Sequence, residues 1–364
     1  MNGDAPFNVH GGLTLVPMPG FEALARRLKP LIEAHGEKQP KEGKVYYRTP
    51  VDIAIPRLGL RENREPFAQL GKEHVGGHDC AILTSGPGTF EMLGQLHLAL
   101  RYVAGRRASR IMLMCPYFPL ARSDKDEKEL EFALARLVVD QIIEASRTTR
   151  VVLDRIVSFD IHSEQVVMAG ASGLITPLSL VRRVFHAAME EARKTGRPLC
   201  LAFPDDGAAK RVEPFLPEIF EKTGGALPIV KTDKRRYSSS DVEVLRIHGD
   251  VDKLEGAIVL NVDDEIATLG TNQESARAFK KHGAYAVWGV VSHGVLCGQA
   301  LERFAAPDCP VDHIVMADTI LVENRPALKS FIDEGRIQVI DHAGDMAQVI
   351  YRHHWDDESI RTLR

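Results

Sequence analysis

The sequence has little excess charge of either sign, few cysteines and no long apolar run. Its formal net charge is −4 over 364 residues. Overall charge therefore does not draw the chain to nucleic acid or to an acidic membrane surface, and any anion site must be local. No apolar stretch approaches the ~20 residues of a membrane-spanning helix, and the N-terminus lacks the basic-then-apolar pattern of a secretion signal. We expect neither nucleic-acid nor membrane partners.

The five cysteines are scattered, odd in number and never spaced as C-x-x-C. That distribution favours buried thiols in a reducing cytoplasm over a disulfide framework or a zinc site. The length is sufficient for two domains, each with its own core. A content of 44% hydrophobic and 26% charged residues is ordinary for a globular protein. We therefore expect a cytoplasmic globular protein with two domains.

Short apolar runs alternate with stretches of helical periodicity along the whole chain. This pattern predicts buried strands at 13–16, 81–84, 110–115, 155–159, 199–203, 227–231, 257–262, 286–291, 313–317 and 336–340. It predicts helices at 21–34, 89–103, 126–146, 180–194, 208–222 and 273–282. The alternation is typical of an α/β fold with two parallel sheets, in which functional residues lie at the carboxyl ends of strands.

The segment 257–271 is the most informative part of the sequence. An apolar, β-branched-rich strand runs into Asp263 and Asp264, and a Thr-x-Gly-Thr loop then precedes a helix. Such a loop offers a row of backbone N–H groups to an anion, while the adjoining acids can reach hydroxyls or a metal. The alternative is a plain strand-to-helix turn with an acidic cap. The combination of paired acids and loop favours a sugar-phosphate site.

Two polar clusters follow predicted strands in the first half. In residues 116–125, the Arg122 guanidinium can bind phosphate bidentately, and the aromatic pair before it can pack near a flat base. An ordinary loop with an Arg–Asp pair is the alternative. Asp160 and His162 alternate about Ile161, so both are predicted to face one side and to hold or orient Mg²⁺. A structural histidine is the alternative there.

Two further clusters lie in the second half. In residues 204–211, acids come first and bases follow one turn later, which suits either a metal with a diphosphate or an N-capped surface helix. In residues 233–241, three consecutive cations precede a mobile-looking serine run. A basic lid of this kind can close over a transferring phosphoryl group, although a charge run is more often a solvated face.

Together these segments resemble the ribose-phosphate diphosphokinase family, also called phosphoribosyl pyrophosphate synthetase. The family's Pro-Tyr-Phe-x-Tyr-Ala-Arg-Gln-Asp block is matched at 116–124, its Asp-Leu-His-(Ala/Ser)-x-Gln block at 160–165 and its Ser-Pro-Asp-x-Gly-Gly block at 203–208. Its catalytic Lys-x-Arg is matched at 234–236, and its ribose phosphate loop at 262–271. The blocks occur in order over nearly the whole chain, which makes the resemblance far more specific than any single block.

The resemblance implies a fold of tandem type I phosphoribosyltransferase-like domains, each a mainly parallel sheet flanked by helices. Residues 1–179, joined by the tail 350–364, would form the ATP side, and residues 180–349 the ribose 5-phosphate side. The implied reaction transfers the diphosphoryl group of ATP to the C1 hydroxyl of ribose 5-phosphate, giving 5-phosphoribosyl 1-diphosphate and AMP. The implied cofactor is Mg²⁺, and the implied assembly is a homo-oligomer, either a dimer or a hexamer.

The resemblance also implies a role for each matched residue. The catalytic residues would be Lys234, Arg236 and His162. The ATP-binding residues would be Asn63, Glu65, Arg122, Asp124 and His162. The metal-binding residues would be His162, Asp205 and Asp160. The ribose 5-phosphate site would comprise Asp263, Asp264, Ala267, Thr268, Leu269, Gly270 and Thr271.

Several positions depart from the family pattern. Ala267 stands where the family usually has Asp, Leu269 replaces a small residue, and Ser123 replaces a Gln. Residues 174–180 replace a segment of the family's phosphate and ADP regulatory site, which leaves inherited allostery open. Two other functions therefore remain as alternatives: a non-catalytic regulatory paralogue, and a phosphoribosyltransferase that consumes phosphoribosyl diphosphate.

Overall fold

The structure is a computed structural model that describes residues 11–38, 46–71, 74–126, 132–148, 151, 153–204, 206–236, 242–356 and 358–363. The chain divides into two compact units. The first unit comprises Met1–Ser179 together with His342–Arg364, and the second comprises Leu180–Asp341. Among the described residues, no helix combines the length and the apolar character needed to cross a membrane.

The first unit is built on a six-stranded parallel sheet with the order β2-β1-β5-β6-β7-β8. Its elements in chain order are β1 (Leu13–Pro17), α1 (Glu22–Gly36), β2 (Val51–Ile53), β3 (Pro56–Leu60), β4 (Pro66–Leu70), β5 (Asp79–Leu83), α2 (Phe90–Gly105), β6 (Arg110–Met114), α3 (Ala135–Ser146), β7 (Leu153–Phe159), α4 (Glu164–Ala169) and β8 (Ile175–Leu178). Strands β1 and β5 are buried at every position, as expected for a sheet covered on both faces. Strands β3 and β4 form a separate antiparallel hairpin.

The second unit is built on a seven-stranded sheet with the order β11-β10-β9-β12-β13-β14-β15. Its elements are α5 (Val181–Arg193), β9 (Leu199–Phe203), α6 (Asp206–Val212), α7 (Leu216–Thr223), β10 (Ile229–Arg236), β11 (Val242–Gly249), β12 (Ile258–Ile266), α8 (Gly270–Lys281), β13 (Ala286–Gly294), α9 (Ala300–Ala305), β14 (His313–Ala317), α10 (Lys329–Asp333) and β15 (Ile337–Ile340). Strand pairing is parallel except between β10 and β11. The α/β architecture with mainly parallel sheets is therefore confirmed.

A last helix, α11 (Ala343–Trp355), belongs to the first unit and packs on α1. Its aromatic side chains are fixed by polar bonds as well as by burial. The Trp355 indole Nε1 donates to Thr49 Oγ1 at 2.6 Å, and the Tyr351 hydroxyl accepts from the Tyr47 backbone N–H at 2.7 Å. The Tyr47 ring also stacks on Trp355, with the ring centres 4.4 Å apart. These contacts attach the end of the chain to the unit in which it begins.

Two predicted helices differ in their bounds. Of the helix predicted at 126–146, residues 127–131 lie outside the described residues, and the described helix α3 begins at Ala135. The residues just before it are held in a non-helical form, because Asp126 Oδ1 accepts from Ala133 N–H at 2.7 Å and Ser123 Oγ accepts from Leu134 N–H at 3.0 Å. The helix predicted at 208–222 is split into α6 and α7, with a 3₁₀ turn between them. Pro214 and Pro217 lack the N–H groups that a continuous helix requires.

The largest correction concerns the segment predicted to be a basic lid. Instead of ending at residue 231, the strand continues as β10 to Arg236 and pairs antiparallel with β11, which the sequence analysis missed. The serine run lies outside the described residues. Similarly, β12 continues beyond the predicted residue 262 to Ile266, and α8 begins at Gly270 instead of 273. The predicted loop is therefore shorter than expected.

Candidate functional site

The predicted phosphate loop connects the central strand β12 of the second unit to helix α8. Ala267, Thr268 and Leu269 form the connection, and Gly270 and Thr271 are the first two residues of the helix. Leu269 has φ +67°, the left-handed conformation, and its side chain is buried in the core with only 1% exposed. Because the first N–H groups of a helix lack intrahelical acceptors, this geometry offers donors to an anion.

The acidic pair lies in the last part of β12, not in the loop after it. Asp263 is half-buried, and its Oδ1 accepts the Asp264 backbone N–H at 2.9 Å. Asp264 is 4% exposed, and its Oδ2 lies 3.4 Å from the Arg211 Nη2 on α6. The site thus has one partly accessible carboxylate and one buried carboxylate paired with a cation. The first can accept hydrogen bonds from sugar hydroxyls, while the second is held in place.

The next two strands, β13 and β14, also end in polar side chains at the same edge of the sheet. The His293 Nδ1 lies 2.9 Å from the Thr319 Oγ1, which in turn donates to the Ser292 carbonyl oxygen at 3.1 Å. Asp318 is buried and accepts the Val322 N–H at 2.8 Å. His293 is the register partner of Glu265. These contacts join buried polar groups along the carboxyl edge of the second sheet.

In the first unit, two predicted clusters follow the paired strands β6 and β7. The loops are joined at their roots, because the Pro116 carbonyl oxygen accepts from Phe159 N–H at 3.0 Å and from the Ser158 hydroxyl at 3.1 Å. Arg122 is exposed and Asp124 is half-buried in the first loop. The structure therefore brings the segment 116–125 to the same sheet edge as Asp160.

Asp160 and His162 differ from the expected arrangement. Strand β7 ends at Phe159, and Asp160 has φ +39°, so the alternation of strand side chains does not extend to these residues. Asp160 is 6% exposed, and its Oδ1 accepts the Ser179 hydroxyl at 2.6 Å. His162 is exposed and precedes α4. The carboxylate is therefore a fixed, buried group, whereas the imidazole lies at the surface.

Left-handed backbone at non-glycine residues marks the loops that follow two neighbouring strands in each unit. These residues are Leu120 (φ +55°), Asp160 (φ +39°), Leu269 (φ +67°) and Leu296 (φ +46°), after β6, β7, β12 and β13. Such a conformation costs of order 1–3 kcal/mol for each residue and persists only when its surroundings impose it. Strain of this kind clusters at functional sites, and Leu120, Asp160 and Leu269 lie in segments selected from the sequence, whereas Arg107 and Asp356 have the same conformation outside them.

Asn63 and Glu65 lie at the tip of the β3–β4 hairpin, where both are exposed. Asn63 Oδ1 accepts the Glu65 N–H at 3.1 Å, and the Glu65 carbonyl oxygen accepts the Arg61 N–H at 2.8 Å. The predicted role of Asn63 and Glu65 in ATP binding remains a prediction.

The remaining predicted residues follow β9 or lie on β10. The backbone of Lys234 and Arg236 occupies positions two apart on β10, opposite Val244 and Val242. A register irregularity separates Asp233 from Lys234. Asp205, the predicted metal ligand, lies outside the described residues. Among the described side chains, no three His, Cys, Asp or Glu residues come together as a metal site.

Two arginines near the phosphate loop were not found from the sequence. Arg303 Nη1 donates to the Thr268 carbonyl oxygen at 2.9 Å, although the two residues are 35 positions apart. Arg325 donates to the Gly294 and Val295 carbonyl oxygens, each at 2.6 Å, and burial lowers the pKa of its guanidinium below the usual value. Neither arginine belongs to a local motif, so no sequence signal could have identified it.

Comparison with known proteins identifies the family of the chain. Residues 236–363 match the family model of the phosphoribosyl synthetase-associated domain. The ribose-phosphate pyrophosphokinase of Rhodopirellula baltica is 31% identical over 306 residues, which cover 84% of this chain and 89% of that protein. The chain belongs to the ribose-phosphate pyrophosphokinase family. Ribose-phosphate pyrophosphokinase 2 of Schizosaccharomyces pombe is 29% identical over 304 residues, covering 82% of this chain and 86% of that protein.

A solved structure has the same fold as this member of the ribose-phosphate pyrophosphokinase family. The crystal structure of phosphoribosylpyrophosphate synthetase from Mycobacterium smegmatis aligns with a TM-score of 0.68 and 22% identity. The alignment covers 94% of this chain and 98% of that one. The predicted family and the tandem type I phosphoribosyltransferase-like fold are therefore both confirmed.

Proposed function

We propose that this protein transfers the diphosphoryl group of ATP to the C1 hydroxyl of ribose 5-phosphate, forming 5-phosphoribosyl 1-diphosphate and AMP. The C1 oxygen attacks the β-phosphorus, the bond from that phosphorus to the bridging oxygen of AMP breaks, and the hydroxyl loses its proton. The observation that carries the proposal is the loop before α8 in the second unit, which adjoins one accessible carboxylate and one held by Arg211, in a chain of the ribose-phosphate pyrophosphokinase family.

In this proposal the second unit binds ribose 5-phosphate. The 5-phosphate accepts hydrogen bonds from the backbone N–H groups of residues 267–271, where the N-terminal end of the α8 dipole favours a dianion. The half-buried Asp263 accepts hydrogen bonds from ribose hydroxyls, while Asp264 is held by Arg211. Holding a substrate at both its phosphate and its hydroxyls fixes the direction of C1. Correct orientation of a reacting group is a large part of phosphoryl-transfer catalysis.

The first unit, residues 1–179 joined by the end of the chain, is assigned the ATP side. Arg122 is exposed at the edge where β6 and β7 end, and a guanidinium there suits a phosphate of ATP. Asp124 lies in the same loop, and Asn63 and Glu65 are proposed to contact the adenine. This assignment rests on the family blocks. The described contacts of these residues are compatible with it.

The donor set at the end of β7 fits Mg²⁺. This ion takes one or two protein carboxylates and completes its shell with water and substrate phosphate oxygens. Asp160 is a buried carboxylate oriented by Ser179, and the exposed His162 follows it. We assign both residues and Asp205 to the Mg²⁺–ATP site, where the ion would neutralise phosphate charge. His162 also belongs to the proposed catalytic set.

Lys234 and Arg236 are proposed to stabilise the transition state. Phosphoryl transfer requires little covalent help from the protein but much neutralisation of charge on the phosphate oxygens. Lys234 and Arg236 stand two positions apart on β10, and a lysine and an arginine are residue types suited to this task. We further propose that the protein acts in the cytoplasm as a homo-oligomer, a dimer or a hexamer, as the family resemblance implies.

The direct test is to incubate the purified protein with Mg²⁺, ATP and ribose 5-phosphate and to measure AMP. AMP that forms only when the sugar phosphate is present supports the proposal. Binding of both substrates without any AMP would instead indicate a non-catalytic regulatory paralogue. Release of diphosphate from phosphoribosyl diphosphate only on addition of a nucleobase would indicate a phosphoribosyltransferase. Ribose without the 5-phosphate serves as the control substrate, because it lacks the group that the loop is proposed to bind.

A further inference from the structure

Three consecutive carbonyl oxygens, those of residues 266–268 at the end of β12 and in the phosphate loop, each accept a hydrogen bond from another segment. The Ile266 carbonyl oxygen accepts from the Leu296 N–H and the Ala267 carbonyl oxygen from the Cys297 N–H, both at 2.9 Å. The Thr268 carbonyl oxygen accepts from the Arg303 Nη1, also at 2.9 Å. Two of these donors come from the backbone after β13, and the third is a side chain on α9. The side-chain donor is the one of the three that can be removed without placing proline in the backbone.

The carbonyl contacts also determine the direction of the loop N–H groups. In a trans peptide the C=O and the following N–H point in opposite directions. Fixing the carbonyls of residues 266–268 therefore directs the N–H groups of residues 267–269 to the other side of the loop. Leu269 in the left-handed conformation then leads into α8, and successive N–H groups of this kind form a concave anion site.

Arg303 is closely fitted to this position. A Cβ atom added to Gly270 would lie 3.0 Å from its Nη1, so glycine leaves the space that the guanidinium occupies. The Nη2 is 3.4 Å from the Gln299 Oε1 on the preceding turn, which fixes the other end of the group. A charged donor strengthens its bond to a carbonyl and polarises the peptide, so that the Leu269 N–H becomes a better donor.

The turn that supplies the two backbone donors is itself fixed. Arg325 donates to the Gly294 and Val295 carbonyl oxygens at 2.6 Å and to that of Leu296 at 3.4 Å. Leu296 is left-handed at φ +46°, a conformation that requires such support. The carbonyl groups of the loop are therefore fixed by two backbone donors from a rigid turn and by one donor from the Arg303 side chain.

We propose that Arg303 is a positioning residue for ribose 5-phosphate: its bond to the Thr268 carbonyl holds the 268–269 peptide with the N–H presented to the 5-phosphate. The inference rests on the proposed function, whose phosphate subsite it refines. Arg303 acts through the loop backbone and not by contact with the reacting atoms. Its loss therefore weakens the binding of ribose 5-phosphate and leaves the binding of ATP unchanged.

The test compares Arg303→Met, Arg303→Lys and a matched control, Arg336→Met. Arg336 also donates to a main-chain carbonyl, that of Phe304, at 2.5 Å, and it stacks on the Phe304 ring. It thus holds the same helix α9 without contacting the loop. For Arg303→Met we expect the KM for ribose 5-phosphate to rise about ten- to a hundredfold, the loss of one charged hydrogen bond. The KM for ATP should change less than about twofold.

The lysine variant keeps a cation and one donor, so it should recover part of the ribose 5-phosphate affinity. Arg336→Met should leave both KM values unchanged. A second route is Gly270→Ala, whose Cβ would lie 3.0 Å from the Arg303 Nη1, so that the guanidinium must shift by a few tenths of an ångström and the same KM should rise. If Arg303→Met does not fold, Arg303→Lys gives the deciding comparison, because it keeps the cation but loses the guanidinium. Equal changes in both KM values, or no change for ribose 5-phosphate, would overturn the inference.

Calorimetric titration with ribose 5-phosphate separates this inference from the proposed function. If the wild-type protein binds the sugar phosphate but makes no AMP, the proposed reaction fails while weaker binding by Arg303→Met still supports the positioning role. If the wild type is active and Arg303→Met binds ribose 5-phosphate normally, the positioning role fails while the reaction stands. If the wild type does not bind ribose 5-phosphate at all, both proposals are wrong.

Discussion

Replacement of Asp79 by asparagine should strongly destabilise the first unit. Asp79 is 2% exposed and accepts two bonds from Arg110: Nε to Oδ1 at 3.1 Å and Nη2 to Oδ2 at 2.6 Å. The His354 Nδ1 on α11 lies 2.9 Å from the same Oδ2. Arg110 also donates to the His353 carbonyl oxygen at 2.7 Å. One carboxylate therefore connects β5, β6 and the last helix.

The magnitude follows from what the substitution leaves behind. Removing one partner of a buried ion pair costs about 3–5 kcal/mol. Asp356, which is 57% exposed, still pairs with Arg110 at 2.7 Å, so we expect the lower end, about 3 kcal/mol. For a folding unit of this size, that corresponds to a decrease in Tm of about 6–12 °C.

The assay can be confined to the first unit. The chain has two tryptophans, and Trp355 lies in the first unit whereas Trp288 lies in the second. Thermal unfolding followed by fluorescence in a Trp288→Phe background therefore reports the surroundings of Trp355. Asp140→Asn is the control, since its pair with Arg136 is exposed and is worth less than about 1 kcal/mol. A Tm for Asp79→Asn within 2 °C of the control, roughly 1 kcal/mol, would refute the reasoning.

The effect should also depend on pH in one direction. Burial by itself would raise the pKa of Asp79, but hydrogen bonds from His354 and Arg110 outweigh it and lower the pKa below its usual value. A carboxyl whose pKa is depressed on folding contributes stability above its unfolded pKa of about 4 and loses it as the pH falls through the folded pKa. The stabilities of wild type and Asp79→Asn should therefore converge in acid and differ fully at neutral pH.

Three further predictions concern the site and the thiols. Lys234→Ala should reduce turnover at least about a hundredfold with little change in the circular dichroism spectrum. Lys231→Ala on the same strand should leave turnover unchanged, and normal turnover in Lys234→Ala would refute the role of Lys234. Asp263→Asn should raise the KM for ribose 5-phosphate about tenfold or more in steady-state kinetics, and an unchanged KM would count against its role in binding the ribose hydroxyls. Ellman's reagent at pH 8 should modify the exposed Cys297 rapidly and Cys200 only on unfolding, because burial raises the pKa of Cys200 to about 12; equal rates would contradict the burial.

Local patterns were sufficient for much of the fold. The strand predicted at 199–203 and that at 313–317 match β9 and β14 residue for residue. Buried parallel strands are continuous apolar runs, which can be recognised without knowledge of their neighbours. The family blocks were equally local, because each is a short loop after a strand. They were enough to identify the family.

Features that depend on distant partners were not predictable. Strand β11 and the extension of β10 arise from their mutual pairing, and the short strands β2 and β8 are stabilised by one neighbour each in the sheet. The late start of α3 depends on side-chain bonds from Ser123 and Asp126. Leu269 likewise has a side chain that ordinarily disfavours its left-handed conformation.

The sequence by itself determined the fold class, the family and the positions of the chemical groups, because apolar periodicity and short loop motifs act over a few residues. Only the tertiary structure decided which groups meet. Arg303 reaches Thr268 across 35 residues, and His354 reaches Asp79 across 275. Such contacts arise when the chain folds back on itself, and their energy depends on burial and geometry that no single segment contains.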